Sequence, residues 1–141
     1  APARDVTVVL VEEANGITYL GDAARVRQVL VNVLGNAVSF TPKGGSVRVF
    51  VARRDGAPDG VALTGGPWCS IRVEDSGPGI PAEKLAHVFE PFVQLSSNGQ
   101  ATRKGSGLGL TVSRQLAMLM GGELTASSTG SGASFTLFLP A

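Results

Sequence analysis

One cysteine, one histidine, one tryptophan and one tyrosine are all that this 141-residue chain contains of those four types. A single thiol, Cys69, excludes an internal disulfide, and nothing points to an oxidising compartment. Charge is scarce too: 16% of residues are Asp, Glu, Lys or Arg, and the formal net charge is +1. With no long basic run, that balance leaves no electrostatic footprint for nucleic acid. No apolar run approaches the length that spans a bilayer, and the N-terminus lacks a signal-peptide layout. What remains is 43% hydrophobic, a globular composition at a length suited to one domain with one core. Glycine, by contrast, is plentiful at 19, and it gathers in a few short stretches.

The local patterns alternate between strand and helix. "VTVVLVEE", from Val6, is β-branched and reads as a strand, and "GITYLGD" reads as a short second one. Asp22 stands where a helix N-cap belongs, ahead of a periodic run that ends at Phe40. "TPKGG" turns the chain there. "SVRVFVARR" and "WCSIRVED" alternate as strands across a loop rich in Gly, Pro and Asp. "PAEKLAHVF" predicts a short helix with Pro81 in its first turn, and residues 93–107 are polar and aperiodic, as expected of a mobile loop. "LGLTVSRQLAMLMGG" predicts a helix stopped by glycines, and "ELTASS" and "ASFTLFLP" a hairpin around "TGSG". The fold expected is an α+β two-layer sandwich. Its mixed, mostly antiparallel sheet is covered on one face by about three helices.

Two asparagines interrupt the first helix. At about 100° per residue, Val26, Leu30, Val33 and Ala37 share one face, while Asn32 and Asn36 lie together on its margin with Arg25 and Ser39. Taken alone, they fit a solvated helix edge. A neutral amide oxygen also suits Mg²⁺, which prefers oxygen ligands beside a substrate phosphate. "EDSGPGI" places Asp75 at a strand end before a turn with Gly77 and Gly79. A carboxylate there can accept from an exocyclic amine while the glycines admit a flat ring, although the same letters also make a plain tight turn. "KGSGLGL" (Lys104 to Leu110) leads glycines into a helix, an arrangement that can cradle phosphate. It matches neither the P-loop nor the dinucleotide fingerprint.

In this order, "NVLGNAVSFTP", "DSGPGI", "FEPF" and "GSGLGL" resemble the N, G1, F and G2 boxes of the catalytic ATP-binding domain of bacterial sensor histidine kinases. That domain shares a superfamily with DNA gyrase, the MutL repair protein and a heat-shock chaperone. The resemblance runs from the strand at Val6 to the terminal "FTLFLP". It implies that Asn36 ligates the Mg²⁺ bridging the phosphates of ATP, with Asn32 alongside. It implies that Asp75 accepts from the adenine amine, that Gly77 and Gly79 let base and sugar lie close, and that Phe40 and Ile80 pack near the ring. Gly105, Gly107 and Gly109, with Leu108 and Leu110, would hold the phosphates, and residues 93–107 would be the mobile ATP lid. Phe89 and Phe92 would anchor the lid, unless they are plain core aromatics. Ser39 departs from the pattern, since the family commonly has Lys or Arg there. Lys104 or Arg103 would have to supply that cation, or both are solvated lid charges.

Superfamily ATPases place a glutamate general base four residues before the metal-binding asparagine. Here that place is Asn32, whose amide cannot take a proton at neutral pH, so fast hydrolysis is not expected. The resemblance implies instead a protein histidine kinase that donates the γ-phosphate to a histidine on a separate dimerisation domain. Alternatives are a catalytically weak nucleotide-binding regulatory module, towards which Ser39 leans, and an anti-sigma-type serine kinase. The sole histidine, His87, is expected on a helix surface or packed near the lid rather than as phosphoacceptor. Residues 1–141 are thus expected to form a single catalytic domain, monomeric alone and cut from a longer kinase. Its partners would be that kinase's phosphoacceptor domain and, through it, a response regulator. A cytoplasmic location without direct membrane contact is expected. "FTPKGG" and "FEPFVQ" hint at the hybrid-type kinases.

Overall fold

The computed structural model describes residues 7–12, 19–56, 65–90, 109–129 and 132–141. Five strands form one sheet in the order β1-β2-β3-β5-β4: β1 (Thr7–Glu12), β2 (Ser46–Arg54), β3 (Trp68–Asp75), β4 (Glu123–Thr129) and β5 (Gly132–Pro140). Only β1 and β2 run parallel, and a parallel pair needs a long crossover, which α1 (Ala23–Phe40) supplies. The other pairings are antiparallel, with Val49 opposite Val73 and Val73 opposite Phe135. The sheet is mixed and mostly antiparallel, as the sequence predicts.

Local chemistry sets the element ends. Asp22 caps α1, its Oδ1 accepting from the amides of Ala24 at 2.9 Å and Arg25 at 3.4 Å. The helix stops at Thr41, whose backbone is extended and whose buried hydroxyl donates to the Ala37 carbonyl at 2.7 Å. Gly121, at φ +82°, ends α3 (Gly109–Leu119), and the Gly122 amide bonds back to Ala117 at 2.9 Å.

Three expectations shift. Tyr19 to Asp22 form no strand: the chain turns into the Asp22 cap, and the Leu20 amide makes one bond to the Pro140 carbonyl. Gly16 to Thr18 lie outside the described residues. The helix α2 is short, Ala82–Leu85, with Pro81 at its N-cap rather than in its first turn. Beyond it His87, Val88 and Glu90 each bond three residues back, a tighter winding than the α-helix continues. On α1, Val29 is fully buried and Leu30 half-buried, because a 3.6-residue period lets either the third or the fourth residue face the core.

One face of the sheet carries the core. Val47, Ile71, Val73, Leu124, Phe135, Leu137 and Leu139 pack against Val26, Val29, Val33 and Ala37 of α1 and against Leu110 and Ala117 of α3. Ile80 belongs to the same cluster. The opposite face, on which no helix among the described residues packs, is built differently. Arg48 and Arg72 each bond Glu74 at 2.9 Å, and the Arg72 guanidinium lies 4.3 Å from the centre of the Phe50 ring. Exposed ion pairs of this kind each contribute only about 0.2–1 kcal/mol. Their other effect is to keep this face polar.

Candidate functional site

Of the α1 asparagines, Asn32 meets the start of α3. Asn32 Nδ2 donates to Ser113 Oγ at 3.1 Å and to the Gly109 carbonyl at 3.4 Å, while Ser113 Oγ donates to that same carbonyl at 2.7 Å. Asn36 Nδ2 donates to the Asn32 carbonyl one turn back, at 3.2 Å. Both amide nitrogens are therefore committed within the protein. Neither Oδ1 has a hydrogen bond among the described residues, so each is left as an oxygen donor. Both side chains are half-buried, on the margin of the apolar face as the helical period predicts.

Asp75 ends β3 and is only 6% exposed. Its Oδ1 accepts the Gly77 amide at 2.9 Å and the Ala133 amide at 3.4 Å, and among the described residues Oδ2 has no hydrogen bond. Burial pushes the carboxyl's pKa above its ordinary value, and the neighbouring Glu74 charge adds to that. The two backbone bonds pull the other way. Gly79 adopts φ +85°, a backbone that side chains disfavour, while Gly77 contributes its amide to Asp75. The turn is gripped from two sides. Ser76 exchanges bonds with Ser46: its amide donates to the Ser46 carbonyl at 3.0 Å, and its hydroxyl oxygen accepts from the Ser46 amide at 2.9 Å. On the other side the Ile80 amide donates to Ser128 Oγ at 2.7 Å.

Ile80, beside the G1 turn, and Leu110, beside Gly109, are buried in one cluster with Ala37, the neighbour of Asn36. The three boxes thus share one packed base. Lys104, Gly105, Gly107 and Leu108 lie outside the described residues, as do Arg103, Phe92, the stretch 93–107 and the side chain of Phe40. Phe89 is held from several directions. Its ring meets Phe135 edge-on at 6.3 Å, Arg114 lies 5.3 Å over it, and its carbonyl accepts from Thr111 Oγ1 at 2.8 Å. Arg114 in turn pairs with Glu123 at 2.9 Å, which raises the guanidinium pKa. His87 is exposed, with Nδ1 2.6 Å from Glu90 Oε2, in keeping with a surface position.

Four contributors were not anticipated: Ser113, Thr111, Ser128 and the Gly132–Ala133 backbone. Ser113 alone left a trace, as a hydroxyl in line with Leu110 and Ala117 on the buried stripe of α3. Such a group must find a partner inside. A groove of about 290 Å³ borders the G1 turn: Asp75, Ser76, Gly132 and Ala133 line it together with Ser46, Arg48, Glu74, Ser127 and Ser134, and its walls are more polar than apolar. No cluster of three or more His, Cys, Asp or Glu side chains suited to a metal occurs among the described residues.

Comparison with known proteins agrees with this fold. Residues 21–141 match the family model for the histidine kinase-, DNA gyrase B- and HSP90-like ATPases. Sensor protein TorS of Escherichia coli (strain K12) is 46% identical over 122 residues, 86% of this chain and 12% of that protein. Hybrid signal transduction histidine kinase D of Dictyostelium discoideum is 41% identical over 123 residues, 84% of this chain and 7% of that protein. The solved structure of full-length ShkA in complex with AMPPNP aligns with a TM-score of 0.74 at 32% identity, over 98% of this chain and 26% of that one. The chain spans about an eighth or less of these curated relatives.

Proposed function

Since the chain belongs to the histidine kinase-, DNA gyrase B- and HSP90-like ATPase family, with sensor histidine kinases among its relatives, we propose that it binds Mg-ATP and donates the γ-phosphate to a histidine on a separate dimerisation domain. The observation that carries this reading is the orientation of the α1 amides. Asn32 and Asn36 turn their nitrogens into the protein and leave their oxygens to a ligand, and Asn32 does so beside Gly109 at the start of α3. That donor set fits the cation. Asn36 Oδ1 would hold Mg²⁺, a hard ion that takes neutral oxygen ligands and, when bound, offsets the charge of the phosphates. Asp75 keeps Oδ1 on Gly77 and Ala133, and Oδ2 accepts from the adenine amine. Gly77, Gly79 and Ile80 border the base, and Gly109 and Leu110, with the G2 residues before them, border the phosphates.

Transfer breaks the bond between the γ-phosphorus and the oxygen that leaves on ADP, and forms one to a neutral imidazole nitrogen. The imidazole's other ring proton is released after transfer. This chemistry depends mainly on positioning and charge, and Asn32 cannot deprotonate a water. Relatives named as sensor kinases support a response regulator downstream, and ATP chemistry supports a cytoplasmic location. Among the described residues no helix is long and apolar enough to cross a membrane.

The test is to incubate the chain with Mg-ATP labelled at the γ-phosphate and a separately produced histidine hairpin of the parent kinase. Label that is stable to base and labile to acid should appear on the hairpin and not on the chain alone. Acid-stable label on a serine would favour the anti-sigma-type kinase. Nucleotide binding with no transfer would favour the regulatory module.

A further inference from the structure

The β4–β5 hairpin touches the G1 turn at both of its ends. At the first, the Ala133 amide reaches Asp75 Oδ1 at 3.4 Å. At the last, Ser128 Oγ accepts the Ile80 amide at 2.7 Å and donates to the Gly132 carbonyl at 3.3 Å. Gly132 makes the approach possible: at φ +153°, a Cβ there would lie 2.0 Å from the Asp75 carbonyl oxygen. From these contacts we infer that Ser128 is a positioning residue for base selection, which fixes the aim of Asp75 by pinning the far end of its turn. The inference rests on the reading of Asp75 as the group that accepts from the base.

The turn needs such a pin. The β3 pairing with β5 ends at Glu74, and the five residues that follow Asp75 include two glycines, one in a positive-φ backbone. On the β2 side Ser76 is tied to Ser46, near the start of the turn. At its far end Ser128 provides the tie, and without that hydroxyl the Ile80 amide, on a buried residue, loses its acceptor. A hydrogen bond weakens steeply once donor and acceptor fall out of line, whereas shape contact tolerates small shifts. Loosening the turn should therefore reduce preference for an amine-bearing base more than it reduces overall nucleotide affinity.

Titration of the whole chain with Mg-ATP and with Mg-ITP, whose base carries a carbonyl in place of the amine, reads that preference directly. Ser128→Ala should lower the ATP-over-ITP ratio by about fivefold or more, as loss of one directional bond to a charged acceptor implies. Ser128→Thr, which keeps the acceptor, should restore it. Faster hydrogen exchange at the Ile80 amide, with β3 and β5 amides still protected, would show the turn loosened in an intact fold. Should the alanine variant not fold, the near-isosteric Ser128→Cys takes its place and should give an intermediate ratio. An unchanged ratio in a folded Ala or Cys variant overturns the inference, even where affinity and melting temperature fall together. A ratio lost in Asp75→Asn but kept in the Ser128 variants overturns this inference alone. A wild-type chain that does not prefer ATP overturns the reading of Asp75 and this inference with it.

Discussion

Replacing Asp75 by asparagine should move ligand binding and stability in opposite directions. The amide keeps Oδ1 for the Gly77 and Ala133 amides and puts an NH₂ group where Oδ2 stood. A ligand amine then meets a donor instead of a charged acceptor. Hydrogen bonds to charged groups contribute about 1.5–3 kcal/mol, so ATP affinity should fall by about 10- to 150-fold. The free protein gains, because the carboxylate is buried and burial raises its pKa. Relieving a functional site of this kind commonly adds about 0.5–2 kcal/mol, or roughly 2–4 °C in melting temperature for about 1 kcal/mol at this chain length.

The pH dependence has a definite sign. The folded carboxyl keeps its proton to higher pH than the unfolded one, whose ordinary value is 3.8. Between the two values the folded state binds more protons, so stability falls as pH rises. The cost is fully present above the folded value and absent below the unfolded one. The stability advantage of Asp75→Asn over wild type should therefore shrink as pH is lowered from 7 towards 4. Titration calorimetry with Mg-ATP and thermal melts across that range measure both effects. A variant that binds ATP within twofold of wild type would refute the assigned role. One that binds poorly and also melts lower at pH 7 would show that the carboxylate serves the fold instead.

Asn36→Ala should abolish the Mg-dependent part of ATP affinity while melting close to wild type, since its amide makes one local bond and alanine is the better helix former; titrations with Mg²⁺ and with EDTA separate the two. Gly132→Ala should cost about 3 kcal/mol or more in urea unfolding, because its Cβ meets the backbone oxygen of Asp75 in a positive-φ conformation. Cys69 is 2% exposed and burial raises its thiol pKa, so it should react with a thiol-specific disulfide reagent only when the chain is unfolded.

The elements were legible wherever local chemistry decides them. Asp22 announces α1, Gly121 and Gly122 end α3, and the alternation in β2 and β3 gives their ends to the residue. In the described part of "GITYLGD", Tyr19 to Asp22, no strand forms because propensity cannot supply a pairing partner; Leu20 finds one bond, at Pro140. Val29 displaced Leu30 because helical period fixes a face only to within a residue. At the site, Asn32, Asn36 and Asp75 could be singled out as residues, but their hydrogen bonds could not. Asn32 meets Gly109 and Ser113 across 77 and 81 positions, and Ile80 meets Ser128 across 48. Which atom of the Asn32 amide is left over follows from docking between distant segments, whereas the Asn36 amide is turned by a bond within its own helix, and Asp75 Oδ1 is shared between the nearby Gly77 amide and the distant Ala133 amide.

The strand order has a bearing on how the protein comes into being. β5 is the last of the five to leave the ribosome, yet it takes an interior place, between β3 and β4. A nascent chain that has emerged only as far as β4 lacks the Ala133 amide that steadies Asp75, and it also lacks the neighbour that joins β4 to the rest of the sheet. The surroundings of Asp75 are therefore completed only when the final strand pairs, and until then the flanks of β3 and β4 stand open to chaperones or to unwanted pairing.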